Sequence, residues 1–430
     1  MSALLPLYRA ITTLGSPAIS WYLGRRRARG KEDGDRFNER FGIAKRPRPT
    51  GTLIWVHGAS VGESLTMLPI IERLLAERPT LNVMITTGTV TSAKLLAERL
   101  PVGAFHQYIP VDLSENVRRF LNHWRPDLAL WSESEFWPNL VTMPAKRGIP
   151  MILVNGRVSP GSYKSWRRWR GLIRHMLKSF TCSLAQSDED AQRLTALGAR
   201  NVTCTGNLKY STPPLPIDPD DLNRLEIRLA GRPNWLAAST HPGEEEICWQ
   251  VHQKLRETHP ELLSIIVPRH PERGAEIKAI LEADGARVAL RSTAQPVVCE
   301  TDIYIADTLG ELGLFYRHSG IVFMGKSLVD LGGQNPLEPA RLDCAILFGP
   351  HMWDFSDITQ HLVDAEAAET VADPAALGTA IANLLDDQQF RQQRADNALR
   401  NVEAQSGILD TVISELNPYL DGLTDKEGAT

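Results

Sequence analysis

The sequence lacks the short patterns that most often mark a dinucleotide site or a metal site in an α/β protein. The glycine-rich "HGASVGE" at 57–63 is not GxGxxG, and the next apolar run ends "TTGT" with no acid to hold a ribose. The acidic stretches at 33–35, 188–190 and 218–220 lie in a charged segment, at a predicted helix start and in a linker, so none follows an apolar strand in a way that aims carboxylates into a cleft. The sequence therefore argues against a dinucleotide cofactor and predicts no metal and no other cofactor.

Cysteine is scarce and positive charge is not in excess. The five cysteines are odd in number, scattered and without a CxxC pair: Cys182, Cys204, Cys248, Cys299 and Cys344. This usage fits a reducing compartment and argues against a disulfide framework or a zinc site. A net charge of −4 over 430 residues does not suit a general nucleic-acid binder, so we expect no nucleic-acid partner.

The N-terminus combines an apolar run with a basic cluster. Residues 4–23 are mostly apolar and about the length of a bilayer span, roughly 20 residues, and Arg25–Lys31 is strongly basic. Arg9 and two prolines make a poor span, so a helix lying flat at the membrane surface and a helix packed on a soluble body are the alternatives. A cleaved signal peptide is not expected, because its basic region would precede the apolar part. The basic cluster favours an anionic membrane surface, with the rest of the chain in the cytoplasm.

From about residue 50, short apolar runs alternate with helical patterns in two series. The first series contains "TLIWVHG", "LNVMITTGT", "PDLALWSES", "PMILVNGR" and "FTCSLAQS". The second contains "NWLAAST", "LLSIIVPRH", "RVALR", "DIYIAD", "GIVFMG" and "CAILFG". Continuous apolar runs are typical of strands buried on both faces of a parallel sheet. A proline-rich stretch, "YSTPPLPIDPDD", separates the two series.

These patterns predict an α/β fold with two Rossmann-like parallel-sheet domains. We predict an N-terminal anchor and basic linker over 1–45, a first domain over 46–212, a proline-rich hinge over 213–222 and a second domain over 223–430. The last helix of the second domain is allowed to pack back on the first. Open parallel sheets bind ligands outside the carboxyl ends of their strands, so two facing rims predict an interdomain cleft.

Six motifs in order and in register give the chain a family resemblance. "WVHGASVGE", "SESEFWPNL", "TGNLKY", "VPRHPER", "DTLGEL" and "GGQNPLEP" resemble those of the 3-deoxy-D-manno-octulosonic acid (Kdo) transferases over nearly the whole chain. The resemblance implies a membrane-associated glycosyltransferase of the GT-B fold, on the cytoplasmic face of the bacterial inner membrane. It also implies inverting, metal-independent transfer of Kdo from CMP-Kdo to the lipid A precursor, lipid IVA. The number of Kdo units added stays open.

The resemblance assigns roles to three residues of the first domain. Glu63 becomes the base that takes the proton of the acceptor hydroxyl, although an acid at a helix start also fits simple stabilisation by the helix dipole. Glu133 and Lys209 become stabilisers of the transition state, and both also fit solvated surface positions. Phe136 and Trp137 are expected to shape the wall of the site. The small residues around Glu63, including Gly58 and Gly62, are expected to leave room for a bulky acceptor.

In the second domain the resemblance predicts the CMP site. Its residues are Arg269, His270, Leu309, Gly310, Glu311, Asn335, Pro336, Leu337 and Glu338. Arg269 suits phosphate recognition, or is simply a surface arginine, and Glu338 would accept the two ribose hydroxyls. Five further residues at strand ends are expected to line the same cleft: Ser239, Thr240, His241, Gly325 and Lys326.

One basic, aromatic segment bears on the acceptor. Residues 163–180 are predicted to form an amphipathic helix that faces an anionic bilayer or the phosphates of lipid A, or that is merely solvated. Two other functions stay open at this point. One is a GT-B enzyme that uses a UDP-sugar at the membrane, and the other is a non-catalytic membrane scaffold that keeps the fold.

Overall fold

The computed structural model describes residues 4–229 and 231–427, and the chain divides into two compact units. Unit 1 consists of residues 1–212 and 406–430, and unit 2 consists of residues 213–405. All five cysteines lie among the described residues and are free thiols.

Unit 1 contains a parallel sheet of seven strands. They are β1 (Leu53–His57), β2 (Asn82–Thr87), β3 (Ala104–Tyr108), β4 (Leu128–Ser132), β5 (Met151–Gly156), β6 (Cys182–Ala185) and β7 (Val202–Cys204). Their order across the sheet is β3-β2-β1-β4-β5-β6-β7. The central strands β1, β4 and β5 are buried at every position because helices cover both faces of the sheet.

In the described part of unit 1, nine α-helices precede the second unit. They are α1 (Leu4–Leu14), α2 (Ser16–Ala28), α3 (Val61–Glu77), α4 (Val90–Arg99), α5 (Ser114–Trp124), α6 (Pro138–Lys146), α7 (Pro160–Arg168), α8 (Arg170–Leu177) and α9 (Asp188–Leu197). Several begin with a side-chain cap, since Ser60, Thr89 and Ser187 each accept a hydrogen bond from a backbone N–H three residues on. These caps fix where the loops after β1, β2 and β6 turn into helices.

Unit 2 contains a second parallel sheet of seven strands. They are β8 (Asn234–Thr240), β9 (Leu263–Pro268), β10 (Val288–Leu290), β11 (Ile303–Ile305), β12 (Ile321–Met324), β13 (Ala345–Phe348) and β14 (Ala368–Thr370), in the order β10-β11-β9-β8-β12-β13-β14. Its helices are α10 (Pro219–Leu229), α11 (Glu244–Leu255), α12 (Gly274–Ala283), α13 (Leu312–Ser319), α14 (Leu337–Ala340), α15 (Ser356–Asp364), α16 (Pro374–Asp386) and α17 (Gln388–Ala404).

The chain then returns to unit 1 through α18 (Ile408–Glu427). Ile408 packs against Gly206, where a Cβ atom would lie 2.8 Å from its side chain. Arg78 at the end of α3 is hydrogen-bonded to Asn417 and paired with Asp421, both at 2.9 Å. The segment from residue 406 therefore lies with the first unit and not with the second domain predicted over 223–430.

Two predicted segments differ from the structure. The helix expected over 163–180 is broken at Trp169, whose backbone (φ −112°, ψ 34°) is not helical, so that α7 and α8 are separate helices. The hinge expected over 213–222 ends early, because α10 starts at Pro219. Proline suits a first helical turn, since its ring presets φ and its missing N–H would have no partner there.

The apolar N-terminal run forms two helices that break at Gly15. Pro17 has no N–H with which to continue the hydrogen bonds of α1. No helix in the described part of the chain is both long enough and apolar enough to cross a membrane. One side of α1 is fastened to unit 1: the Tyr8 hydroxyl donates to Asp112 at 2.9 Å and Arg9 Nε donates to Asn139 at 2.8 Å.

Candidate active site

Glu63 lies in the first turn of α3, directly after the loop that follows β1. The Ala59 N–H donates to Oε2 at 2.9 Å, and the Ser60 hydroxyl donates to Oε1 at 3.0 Å. Burial, followed by the charge of Glu133, raises the pKa of Glu63 to about 7. The carboxyl thus takes part in the helix cap, and its raised pKa is the opposite of the shift that simple stabilisation by the helix dipole would produce.

The glycine before this turn serves the packing of α3. A Cβ atom at Gly58 would lie 3.1 Å from the backbone of Glu63 and Ser64, so the space at Gly58 is taken by α3 and offers no room to an acceptor. At Gly62, by contrast, a Cβ atom would meet no atom closer than 4.0 Å. The expectation that small residues leave space beside Glu63 therefore fails at Gly58 and agrees with the structure at Gly62.

His57, at the end of β1, is a buried neutral side chain. Its Nδ1 lies 2.9 Å from the Thr86 hydroxyl, and its ring packs on Trp131 with centroids 4.2 Å apart. Burial lowers the pKa of His57 to about 3, so the ring carries no charge at neutral pH. Of the two titratable groups that flank this loop, Glu63 is the one that titrates near pH 7.

Glu133, at the carboxyl end of β4, forms an ion pair with Lys209, which lies in the turn after β7. Glu133 Oε1 lies 3.0 Å from Lys209 Nζ, and each side chain is only 14% exposed. Glu133 has a left-handed backbone (φ 53°), and its N–H donates to Val154 in β5 at 3.0 Å. Because the charge of Glu133 also acts on Glu63, the structure brings the three predicted catalytic residues into one region of unit 1.

The two aromatic residues that follow Glu133 differ in exposure. Trp137 is 47% exposed, and its indole N–H donates to Glu135 at 2.7 Å. Phe136 is buried with Phe180 in the hydrophobic core of unit 1. The prediction that Phe136 shapes the wall of the site is therefore wrong, since its ring faces the core.

In unit 2, Arg269 and His270 follow β9 and are exposed. The Arg269 N–H donates to the Thr240 carbonyl at 3.0 Å, which joins this turn to the end of β8. The ring of His241 lies 6.0 Å from that of His270, and burial, followed by the charge of His270, lowers the pKa of His241. Four of the residues predicted at strand ends thus lie around the ends of β8 and β9.

The turn at 308–311 is held by an ion pair. Arg291 Nε donates to Glu311 Oε2 at 2.7 Å, the Thr308 hydroxyl also donates to this carboxylate, and the resulting hydrogen bonds lower the pKa of Glu311. Gly310 has φ 84°, which glycine adopts without strain, and the Leu309 side chain is 84% exposed. Glu311 therefore orders the turn that contains Leu309 and Gly310.

The segment "GGQNPLEP" packs closely on the loop after β13. A Cβ atom at Gly333 would lie 2.2 Å from the Met352 sulfur, so only glycine fits there. Asn335 Oδ1 accepts a hydrogen bond from the Leu337 N–H at 3.2 Å, and Leu337 is buried. Leu337 is therefore an anchor of this loop, while the half-buried Glu338 lies in the first turn of α14.

Residues 320–327, "GIVFMGKS", match the letters of the P-loop pattern GxxxxGK[ST] without forming such a loop. The four residues between the glycines are strand β12, so no glycine-rich loop is present to cradle phosphates. Lys326 Nζ donates to Asp354 at 3.1 Å. At Gly325 a Cβ atom would lie 2.6 Å from the Ser239 carbonyl oxygen, which explains the glycine by close strand packing.

Glu244 was not singled out by the sequence, yet it organises this end of unit 2. Its fully buried carboxylate accepts backbone hydrogen bonds from His241 at 3.0 Å, Lys326 at 2.6 Å, Ser327 at 3.0 Å and Leu328 at 3.2 Å. The loops after β8 and β12 are thereby fixed to the start of α11. Within the described ranges, no group of three or more His, Cys, Asp or Glu side chains is placed to hold a metal ion.

Comparison with known proteins decides the family. The family model described as 3-deoxy-D-manno-octulosonic-acid transferase matches residues 35–212. A curated 3-deoxy-D-manno-octulosonic acid transferase from Rickettsia bellii is 35% identical over 395 residues, which cover 91% of this chain and 93% of that protein. The chain belongs to the Kdo transferase family. A further member, from Haemophilus influenzae, is 31% identical over 96% of this chain and 98% of that protein.

This Kdo transferase is a glycosyltransferase of the GT-B fold. A UDP-GlcNAc 2-epimerase from Neisseria meningitidis aligns over 84% of this chain and all of that one, with a TM-score of 0.60 and 13% identity. A glycosyltransferase from Rickettsia africae covers 87% of this chain and 99% of that one, with a TM-score of 0.57 and 14% identity. These likenesses concern the fold alone, and they agree with the predicted pair of parallel-sheet domains.

Proposed function

We propose that this Kdo transferase moves Kdo from CMP-Kdo to the lipid A precursor, lipid IVA. The reaction inverts the anomeric centre and uses no metal or other cofactor, at the cytoplasmic face of the bacterial inner membrane. The observation that carries the proposal is the Glu63 carboxyl, held by Ala59 and Ser60 with a pKa raised to about 7. A general base works best when its pKa lies near the operating pH.

Glu63 takes the proton of an acceptor hydroxyl as the hydroxyl oxygen attacks the anomeric carbon of Kdo. The bond between that carbon and the phosphate oxygen breaks, and its electron pair leaves with CMP. A single displacement of this kind inverts the anomeric centre. The base then carries one proton, and no covalent sugar–enzyme intermediate is formed.

Lys209 and Glu133 are the charged residues that stabilise the transition state in this proposal. The Lys209 cation is held within 3.0 Å of Glu133 in a region that is mostly shielded from water. A fixed cation stabilises the negative charge that develops on the leaving phosphate, and the effect is larger away from bulk water. Glu133 in turn orients the ammonium group, and its charge raises the pKa of Glu63, which makes the ionised Glu63 a stronger base.

The donor residues belong to unit 2. Arg269 is exposed at the end of β9, where its guanidinium group suits the CMP phosphate, with His270 beside it. The turn containing Leu309 and Gly310, braced by Glu311, would offer backbone groups to the cytosine. Glu338 would accept the ribose hydroxyls from a loop anchored by Asn335, Pro336 and Leu337.

Helix α1 supports attachment to the membrane surface. Leu7, Ile11 and Leu14 are 54%, 60% and 83% exposed, and their spacing places them on one face of the helix. Tyr8 and Arg9 fasten α1 to unit 1, so this apolar face is held outward. The Arg25–Lys31 cluster and the arginines of α7 and α8 add positive charge for anionic lipids or acceptor phosphates.

The test is incubation of the full-length protein with CMP-Kdo and lipid IVA, followed by mass spectrometry of the lipid. We expect the lipid to gain one or more Kdo units. A parallel series with UDP-sugars is expected to leave it unchanged. Transfer from a UDP-sugar, or no transfer from CMP-Kdo by a folded protein, would reject the proposal.

A further inference from the structure

We propose that Asn155 is a positioning residue for Lys209 in this transferase, an inference that rests on the proposed function. Asn155 lies in β5 and is fully buried. The register between β5 and β6 shifts between Leu153 and Gly156, so Asn155 occupies a bulge. Its backbone is left-handed, with φ 54°. Bulges of this kind commonly re-aim a side chain next to an active site.

The amide oxygen of Asn155 holds the turn that carries Lys209. Oδ1 accepts a hydrogen bond from the Leu208 N–H at 3.0 Å, one residue before the lysine. Asn207 caps the same turn, because its Oδ1 accepts from the Lys209 N–H at 3.1 Å. Two amide oxygens, one from a distant strand and one local, thus fix the backbone on both sides of Leu208.

Hydrogen bonds and an ion pair connect the ends of β4 and β5 with the turn that contains Lys209. Glu133, after β4, donates its N–H to Val154, the residue before Asn155, at 3.0 Å. The Glu133 carboxylate then lies 3.0 Å from Lys209 Nζ, and the turn of Lys209 is bound to Asn155. A shift of Asn155 would therefore move the ammonium group relative to Glu133.

The conformation and burial of Asn155 each carry an energetic cost. The NH2 group of Asn155 is buried, and no acceptor for it is found among the described residues. An unpaired buried donor is destabilising, and left-handed backbone at a residue other than glycine is a further cost. An apolar residue or glycine in this strand would avoid the unpaired donor but would also lose the hydrogen bond to Leu208.

Substitution of Asn155 by glycine removes the side-chain amide but keeps the backbone conformation, because glycine adopts φ 54° without strain. The variant therefore tests the amide alone. We expect Asn155→Gly to lower kcat about 10- to 100-fold through displacement of Lys209, and to change the KM for CMP-Kdo by less than about threefold. The matched control is Asn201→Gly, since Asn201 is also left-handed (φ 48°) in unit 1 but exposed. The control is expected to keep the kcat of the unsubstituted protein.

A double-substitution cycle tests whether Asn155 acts through Lys209. In a Lys209→Met background, Asn155→Gly is expected to have no further effect on kcat, since residues that act as one unit are not additive. A merely structural role would lower kcat by the same factor in both backgrounds. Additive effects, or an unchanged kcat in Asn155→Gly alone, would overturn the proposal.

A second variant guards against loss of the fold. Asn155→Asp keeps an oxygen for the Leu208 N–H, and burial favours the uncharged carboxylic acid at this position, so we expect its kcat to stay within about threefold of the original. A loss as large as that of the glycine variant would count against the proposal. Each series begins with the unsubstituted protein: if that protein does not transfer Kdo, the proposed function fails, whatever the variants do.

Discussion

The charge of Glu133 raises the pKa of Glu63, and only burial has a larger effect on that carboxyl. The two acids come from different strand ends, Glu63 after β1 and Glu133 after β4, which are neighbours in the sheet. Lys209 partly offsets the second charge by pairing with Glu133. The region thus combines a carboxyl with a raised pKa, a second carboxyl and an ammonium group, on which the proposed proton abstraction relies.

Glu63→Gln is expected to lower kcat by roughly 10²- to 10⁴-fold, because the amide cannot accept the proton of the acceptor hydroxyl. Binding of CMP, measured by calorimetry, is expected to change by no more than a few fold. Glu115→Gln is the control, since Glu115 also lies in a first helical turn of unit 1 but is exposed. Near-normal turnover of folded Glu63→Gln would remove Glu63 from the mechanism.

The rate is expected to rise with pH around the pKa of Glu63. Because the base must be ionised, kcat/KM should increase through pH 7, where Glu63 loses its proton. Ser60→Ala removes a hydrogen bond that stabilises the ionised form, so it should move this limb of the profile to higher pH. Ser187 caps α9 and donates to Asp190 in the same manner, so Ser187→Ala is the matched control. A limb that moves equally in both variants, or in neither, contradicts the assignment.

The raised pKa of Glu63 also makes the free energy of unfolding depend on pH. Folding raises the pKa of Glu63 from 4.5 to about 7, so the folded protein favours the protonated side chain. The stabilisation from Glu63 is fully present below pH 4.5 and is lost as the pH rises through 7. The difference in unfolding free energy between the original protein and Glu63→Gln, measured by urea denaturation, should therefore change across this window. A difference that stays constant between pH 4.5 and 8 would show that Glu63 has no raised pKa.

Glu244→Gln is expected to destabilise unit 2 by about 2–4 kcal/mol, because a buried NH2 group would face backbone N–H donors in place of a carboxylate oxygen. Hydrogen exchange should show faster opening of residues 326–328 and 241. Glu276→Gln, in the exposed first turn of α12, is the control. Unchanged thermal unfolding of Glu244→Gln would mean that the four backbone contacts contribute little.

Attachment to anionic vesicles is expected to depend on the outward face of α1. Replacing Leu7, Ile11 and Leu14 together by glutamine removes apolar surface but leaves the contacts of Tyr8 and Arg9 in place. The variant should sediment with vesicles at low salt through its basic residues and leave them as ionic strength rises, while the original protein stays bound. Val102→Gln, at a fully exposed apolar residue elsewhere in unit 1, is the control. Identical salt dependence of the triple variant and the control would exclude insertion of this face.

Activity is expected to survive EDTA, since transfer is proposed to rely on Lys209 and Arg269 for charge stabilisation. The measurement is Kdo transfer before and after dialysis against the chelator. A clear loss that Mg²⁺ restores would show that the reaction depends on a metal.

Sequence reasoning found the central strands and missed strands at the edges of both sheets. β1, β4 and β5 are continuous apolar runs because both faces are covered, which makes them visible in the sequence. β3, β7 and β14 lie at sheet edges and are only partly buried, so their residues carry no such pattern. An edge strand is stabilised by pairing with its neighbour, which a single sequence does not display.

The sequence predicts which candidate residues stand at strand ends, but it does not predict the contacts that they make. Glu63 and Glu133 stand at strand ends, and the family motifs identify them. The role of Glu244 could not be read, because its donors come from two loops more than 80 residues apart in sequence. For Phe136 the sequence predicted a functional role that the structure does not support. Its place in a family motif does not show whether its ring faces the site or the core.

The return of the chain to unit 1 at residue 406 has a consequence for biosynthesis. Ile408 packs on Gly206 just before the turn of Lys209, and Arg73 pairs with Asp410 at 3.1 Å, so unit 1 lacks these contacts until α18 has left the ribosome. About 200 residues of unit 2 are translated in between, which takes roughly 10–40 s at 5–20 residues per second. During that delay a nascent unit 1 would hold its charged residues and its outward apolar helix α1 in an incomplete domain, a state that is accessible to chaperones.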